Sequence, residues 1–180
     1  MKGQFFIIGA LFVCTILYFG LGPSFDISVT GSEDMNVLAG NLQKELPHAL
    51  NIGINASAPI STLRNFTLFS IDSLRQGRID LGCYWLVFRY TGGQVNVSAG
   101  NFMGEPKVFY VNVSGVSNGI YAADGAVNSS MFDAAGPTFD VSVTVDGETS
   151  SFTQLTRKTS IFSQLTLSRS GNIISKEILA

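Results

Sequence analysis

The sequence predicts a mainly β protein: an antiparallel β-sandwich ectodomain with a short α-helical pair, preceded by one N-terminal transmembrane helix. Three observations predict it. An uncharged apolar run extends from Phe5 to Gly22, two helix-period segments lie between about 32 and 76, and period-2 runs continue from about 79 to the C-terminus. At 180 residues the chain suits one domain plus an anchor. The expected division is 1–24 for the anchor and 25–180 for an extracytoplasmic domain, with the helical pair over about 32–76 and the sandwich over about 79–180.

The apolar run FFIIGALFVCTILYFGLG holds 18 residues without a charge. As a helix it reaches about 27 Å, close to the thickness of a hydrocarbon core. A cleaved secretory signal has a shorter apolar stretch and a small-x-small exit, whereas here Gly20-Leu21-Gly22 runs into Pro23, a poor residue to cut before. The segment therefore reads as a retained anchor in contact with membrane lipid. Lys2 precedes it, and Asp26, Glu33 and Asp34 follow it with no base until Lys44, which orients the C-terminal part outward. The expected location is the plasma membrane, single-pass, with the domain outside the cell.

Beyond the anchor, Phe25 to Thr30 alternates and predicts a first strand. Ser32 then caps a helix with Glu33 and Asp34 in its first turn, Met35, Leu38, Ala39, Leu42 and Leu46 on one face, and Pro47 as its stop. A second helix is predicted from about Pro59 to Arg75, burying Leu63, Phe66, Ile71 and Leu74 and ending at Gly77. From Ile79 the pattern changes to strands. Leu81, Cys83, Trp85 and Val87 share one face and Tyr84, Leu86, Phe88 and Tyr90 the other, so this strand is apolar on both sides and central. Gly92-Gly93 turns the chain into Gln94–Ala99, with Val95, Val97 and Ala99 inward and Asn96 outward. Further runs at Lys107–Ser114, Phe139–Val145, Ser151–Arg157, Thr159–Ser168 and Ile173–Leu179 complete about seven strands, the number of a sandwich or open barrel.

Between Gly115 and Pro137 the pattern predicts a long irregular connection, interrupted by a short strand at Ile120–Ala122. Long irregular loops in compact domains are usually functional or disordered. Ser117, Asp124, Asn128 and Asp133 are therefore the candidate contact residues.

The chemistry-bearing residues exclude more than they suggest. Past Lys2 the chain carries 10 basic and 13 acidic side chains, a net charge of about −3, which argues against nucleic acid as a partner. Gly115-Val-Ser117-Asn-Gly119 matches a nucleophile-elbow pattern, but no helix follows it, and the single histidine, His48, precedes the serine. One histidine and one cysteine outside the apolar run cannot assemble a zinc site. Asp124, Asn128 and Asp133 lack the spacing of a calcium loop. No phosphate-cradling glycine motif occurs, so no cofactor, no metal and no catalytic activity are expected. Cys14 and Cys83 lie in incompatible places for a disulfide. The aromatic run Tyr84–Tyr90 offers a stacking platform for sugar rings, with burial beneath the helices as the simpler account.

Five Asn-x-Ser/Thr sequons, at Asn55, Asn65, Asn96, Asn112 and Asn128, agree with an outer-surface location and are candidate glycosylation sites.

The start Lys2-Gly3-Gln4, followed by the apolar run, resembles the class III signal peptides of archaeal type IV pilin-like proteins. The resemblance covers about the first 22 residues. It implies a dedicated peptidase cutting between Gly3 and Gln4, and an apolar helix that serves as anchor or filament core. The chain departs from the pattern at Ile8, where many pilins have a glutamate, and Gly20, Gly22 and Pro23 interrupt the helix. An anchored or minor subunit is thus expected rather than the bulk protein of a pilus. The resemblance and the outward domain lead to a non-catalytic, pilin-like or surface-structure subunit. The alternative is an anchored monomeric binding or adhesion module, or an accessory subunit of a membrane complex. Its partners would be other protein subunits or cell-surface ligands.

Overall fold

Helical and alternating patterns resolve, in a computed structural model describing residues 32–134, 138–155 and 159–180, into two helices followed by nine strands. The helices are α1 (Ser32–Asn55) and α2 (Pro59–Gln76). The strands are β1 (Asp80–Thr91), β2 (Gln94–Phe102), β3 (Lys107–Val113), β4 (Val116–Ala122), β5 (Val127–Asp133), β6 (Thr138–Val145), β7 (Glu148–Leu155), β8 (Thr159–Arg169) and β9 (Asn172–Leu179). All belong to one compact unit, Gly31–Ala180. The expected anchor, the processing pair Gly3 and Gln4 and the expected strand Phe25–Thr30 lie outside the described residues.

The strands form two antiparallel sheets, a five-stranded one in the order β5-β2-β1-β8-β9 and a four-stranded one in the order β4-β3-β6-β7. The fold is mainly β and sandwich-like. Strand β1 sits in the middle of the larger sheet, paired with β2 on one side and β8 on the other. Its two apolar faces serve two cores, as the alternation requires. Tyr84, Leu86 and Phe88 meet Phe109, Val111, Val141 and Val143 of the smaller sheet, while Cys83, Trp85 and Val87 meet Met35, Ala39, Leu46, Leu50 and Leu63 of the helices. Aromatic contacts cross between the sheets: Tyr84 stands edge-on to Phe109 at 5.3 Å between centroids, and Phe152 edge-on to Phe88 at 5.5 Å. The aromatic run of β1 is therefore core rather than a platform.

The expected helix stop at Pro47 is overturned, since α1 runs through Pro47 to Asn55. An interior proline costs about 3 kcal/mol. That cost is offset by what lies beyond it, because Ala49 and Leu50 are buried against the larger sheet together with Leu46. Gly53 then permits a close approach: a Cβ there would lie 2.6 Å from Pro59 Cα, so the chain can fold back into α2 only where the side chain is absent.

One alternation is also corrected. Val95, Val97 and Ala99 point into the sandwich as expected, but the opposite face of β2 is not free: Asn96 is half-buried and Ser98 is 7% exposed. The helix layer covers that face.

Candidate functional site

The expected irregular connection from Gly115 to Pro137 is overturned, although the short strand expected at Ile120–Ala122 is present within β4. It contains β4, a short turn and β5, and it carries the chain from one sheet to the other, because β4 pairs with β3 while β5 pairs with β2. Apart from Ile120–Ala122, these strands escape the alternation argument for a physical reason. In Val-Ser-Asn-Gly-Ile-Tyr-Ala and Val-Asn-Ser-Ser-Met-Phe-Asp, runs of Ser, Asn and Gly break the apolar alternation, and the ladder bonds to β3 and β2 that hold these strands are invisible in sequence.

The four candidate contact residues are consequently dispersed. Ser117 lies on β4 and its Oγ accepts from Asn112 Nδ2 at 2.7 Å, within the β3–β4 hairpin. Asp124 sits in the turn after β4, where its Oδ1 accepts the Gly104 N–H at 2.9 Å. Asn128 on β5 donates from Nδ2 to the Tyr121 carbonyl. Asp133 ends β5 and accepts from Gln94 Nε2 at 3.1 Å. Asp124 lies before the seven-residue strand β5 and Asp133 ends it, and about 20 Å separates the two ends of such a strand. They do not form one oxygen-ligand set. Among the described residues no three His, Cys, Asp or Glu side chains are grouped to hold a metal. Ser117 occupies a strand that no helix follows, and His48 is exposed on α1, beyond the opposite face of the molecule's layers. The elbow pattern does not become a Ser-His pair.

What the crossing needs instead is a staple, and Asn101 supplies it. Its side chain is fully buried at the end of β2. Nδ2 donates to the carbonyls of Glu105 at 2.7 Å and Ala122 at 2.9 Å, and Oδ1 accepts the Met103 N–H at 3.2 Å. The main chain of Asn101 also bonds Gly125 and Ala126. One amide thereby ties the β2–β3 connection to the start of the crossing. Nearby, Lys107 is 9% exposed and its Nζ reaches Asp146 Oδ2 at 2.7 Å and also Glu105. Hydrogen bonds donated to Asp146 and then to Glu105 raise its pKa against the opposing effect of burial.

The surface best suited to contact is the outer face of the smaller sheet. Inward side chains of β3 are Phe109, Val111 and Val113, all fully buried, which turns Val108, Tyr110 and Asn112 outward. On β4 the same parity exposes Ser117, Gly119 and Tyr121. Tyr110 is 62% exposed, Tyr121 57% and Val108 39%. Register places Val108 opposite Tyr121 and Tyr110 opposite Gly119. Gly119 leaves a shallow site edged by Tyr110 and Val108, each 3.7 Å from where a Cβ would lie. The rows beside it are hydroxyl-rich: Thr144 lies opposite Tyr110, with its Oγ1 2.7 Å from that of Thr149, and Ser142 lies opposite Asn112. Sequence reasoning missed the tyrosines because β3 is apolar at both parities, and only the packing decides which parity faces out.

A second concavity, of about 490 Å³, opens between the end of α2 and the strand ends at the centre of the larger sheet, lined by Ile71, Asp72, Arg75, Asp80, Met103 and Asp124 among others. Asp72 and Arg75 in its wall are exposed and 3.9 Å apart. It combines carboxylates, one guanidinium and apolar side chains without a convergent set of donors.

The sequons are scattered over the fold. Asn55 ends α1, Asn65 lies within α2, and Asn96, Asn112 and Asn128 lie on β2, β3 and β5. Among the described residues no helix is long and apolar enough to cross a membrane. No protein-family model matches the chain, and no curated protein matches it.

Proposed function

We propose that the chain is a single-pass, membrane-anchored cell-surface protein whose β-rich unit lies outside the cell as a non-catalytic, pilin-like subunit of a surface structure. The observation that carries this reading is the uncharged run Phe5–Gly22, preceded by Lys2 and followed by an acidic flank. The Gly3-Gln4 junction ahead of that run supports processing in the pilin manner. The glycine and proline break at Gly20, Gly22 and Pro23 supports an anchored or minor subunit. Fractionation tests the reading: sheared appendages should contain the protein if it is built into them, and recovery in the cytosol would overturn it. Intact mass decides the processing, since retention of Met1 to Gly3 identifies a plain signal anchor.

A second reading is an anchored binding module, favoured by the exposed Tyr110–Tyr121 face. A solvated aromatic pair among hydroxyls is suited to a partner surface or ligand with its own apolar faces. Replacing both tyrosines by serine should abolish capture of that partner while leaving the protein in the membrane fraction. Unchanged partner recovery would remove this reading.

A further inference from the structure

We propose that Asn55 is the principal acceptor of an N-linked saccharide and that in each of the other four sequons the asparagine amide or the hydroxyl two residues on is already committed to the fold. The inference rests on the outward-facing reading above. Transfer joins Asn55 Nδ2 to the anomeric carbon of a lipid-phosphate-linked saccharide. The bond from that carbon to the phosphate oxygen breaks, the lipid phosphate departs, and an amide proton passes to solvent. The acceptor must therefore present both its amide and the hydroxyl two residues on, which is the reason such sites belong in surface loops.

Asn55-Ala56-Ser57 meets this requirement. Asn55 is the last residue of α1, and Ala56 to Ala58 form the connection to α2. Asn55 and Ser57 are both exposed. Neither side chain makes a hydrogen bond among the described residues, while the turn itself is held by main-chain bonds from Ala56, Ser57 and Ala58 to Ile52, Ile54 and Gly53. The amide and hydroxyl are thus left free by a turn that does not depend on them.

In each of the other sequons the amide or the hydroxyl is engaged elsewhere. In Asn65-Phe-Thr67 the threonine is 1% exposed, and its hydroxyl donates to the Leu63 carbonyl at 2.9 Å and accepts from Trp85 Nε1 at 3.2 Å. Asn96 faces the helix layer with its Oδ1 inaccessible, and Ser98 Oγ is engaged with Ser129 Oγ at 2.9 Å. A saccharide on Asn96 would occupy the space beside Pro59 and Ile60 at the start of α2. Asn112 holds the β3–β4 turn by accepting from the Gly115 N–H at 2.9 Å and donating to Ser117. Asn128 donates to the Tyr121 carbonyl, and Ser130 Oγ accepts from Asn118 Nδ2 at 2.8 Å, so this sequon ties β5 to β4.

Glycopeptide mass spectrometry of the full-length protein, taken from the membranes of its own host, tests the assignment. The peptide containing Asn55 should carry the saccharide at higher occupancy than any other sequon, and Asn55→Gln should abolish the main mass increment. Equal or greater occupancy at Asn65, Asn96, Asn112 or Asn128 would overturn the assignment and leave the outward reading standing. A protein bare at every sequon would overturn the assignment too. Protease treatment of intact cells then tests topology on its own, because cleavage of the domain requires it to be outside.

Discussion

Gly100→Ala should destabilise the domain through one side chain, Trp85. The indole is fully buried and lies across the neighbouring strand, so that a Cβ on Gly100 would fall 2.4 Å from its Cζ2 and 2.5 Å from its Cε2. Carbon contacts settle at about 3.5–4.0 Å, and the ring must therefore move by about 1 Å or more. It is not free to move. Trp85 Nε1 donates to Thr67 Oγ1 at 3.2 Å, and the ring packs on Phe102 with centroids 6.2 Å apart. Overpacking of this kind costs about 1–3 kcal/mol, and losing the hydrogen bond adds about 1 kcal/mol. Replacing a strand glycine returns about 0.5–1 kcal/mol of backbone entropy, which leaves a net loss of about 1–3 kcal/mol. Trp85 is the sole tryptophan, so its fluorescence reports both the local environment and global unfolding. In urea titration of the Gly31–Ala180 unit the midpoint should fall at unchanged slope. Native emission should change with it. Gly40→Ala provides the contrast, because nothing lies within 4 Å of its Cβ position and the helix interior gains up to about 1 kcal/mol. An unchanged midpoint and spectrum for Gly100→Ala would refute the reasoning, as would an equal loss in a Trp85→Phe background, where the clash is largely relieved.

Asn101→Ala should cost about 1–3 kcal/mol by leaving the Glu105 and Ala122 carbonyls and the Met103 N–H without their side-chain partner, and chemical denaturation measures it. Lys107→Met should lower stability at neutral pH by about 1 kcal/mol, a modest value because both partner carboxylates are largely exposed. Since the folded pKa of Lys107 lies above its ordinary 10.5, its contribution is complete below that value and is lost as pH rises through the folded one. Stability against alkaline pH should therefore fall in the wild type and be flatter in the variant. Burial pushes the Cys83 thiol up to about 12, so Cys83 should resist alkylation in the native unit at mildly alkaline pH and react once denatured. Rapid native labelling would contradict its placement.

The parts of the fold legible in sequence are those where side chains alone decide. In β1 the alternation continues unbroken through Tyr84–Phe88, and both faces are buried as it implied. Helix α2 likewise begins with Pro59 at its first turn and is closed at Gly77. Legibility fails where partners distant in sequence decide. Pro47 is a local stop signal, but Ala49 and Leu50 gain a buried surface that the local sequence does not display. The polar strands β4 and β5 exist through their ladders to β3 and β2. Ser117, Asp124, Asn128 and Asp133 are therefore hydrogen-bonding groups of the crossing and its hairpins rather than a contact loop, with Asp124 a clear case. The exposed tyrosines lie partly before that segment and could not be separated from core positions by pattern.

The layer order gives those tyrosines their significance. The five-stranded sheet has one face in the sandwich core and the other beneath α1 and α2, as the two separate buried clusters require. Among the described residues the four-stranded sheet is covered on its inner face alone, because its outward positions on β3 and β4 are exposed. A solvated sheet face normally alternates to polar side chains. On β6 and β7 it does, with Thr144, Thr149, Ser142 and Ser151 paired across the strands. On β3 and β4 it carries Val108, Tyr110 and Tyr121 instead, grouped around a glycine by the register. Their exposure gains nothing for the isolated fold, since the core is already filled from the other side of the same strands. The departure from the polar pattern is thus confined to the one broad sheet face among the described residues that no other layer covers, which is where a partner can reach the domain without displacing any of its own elements.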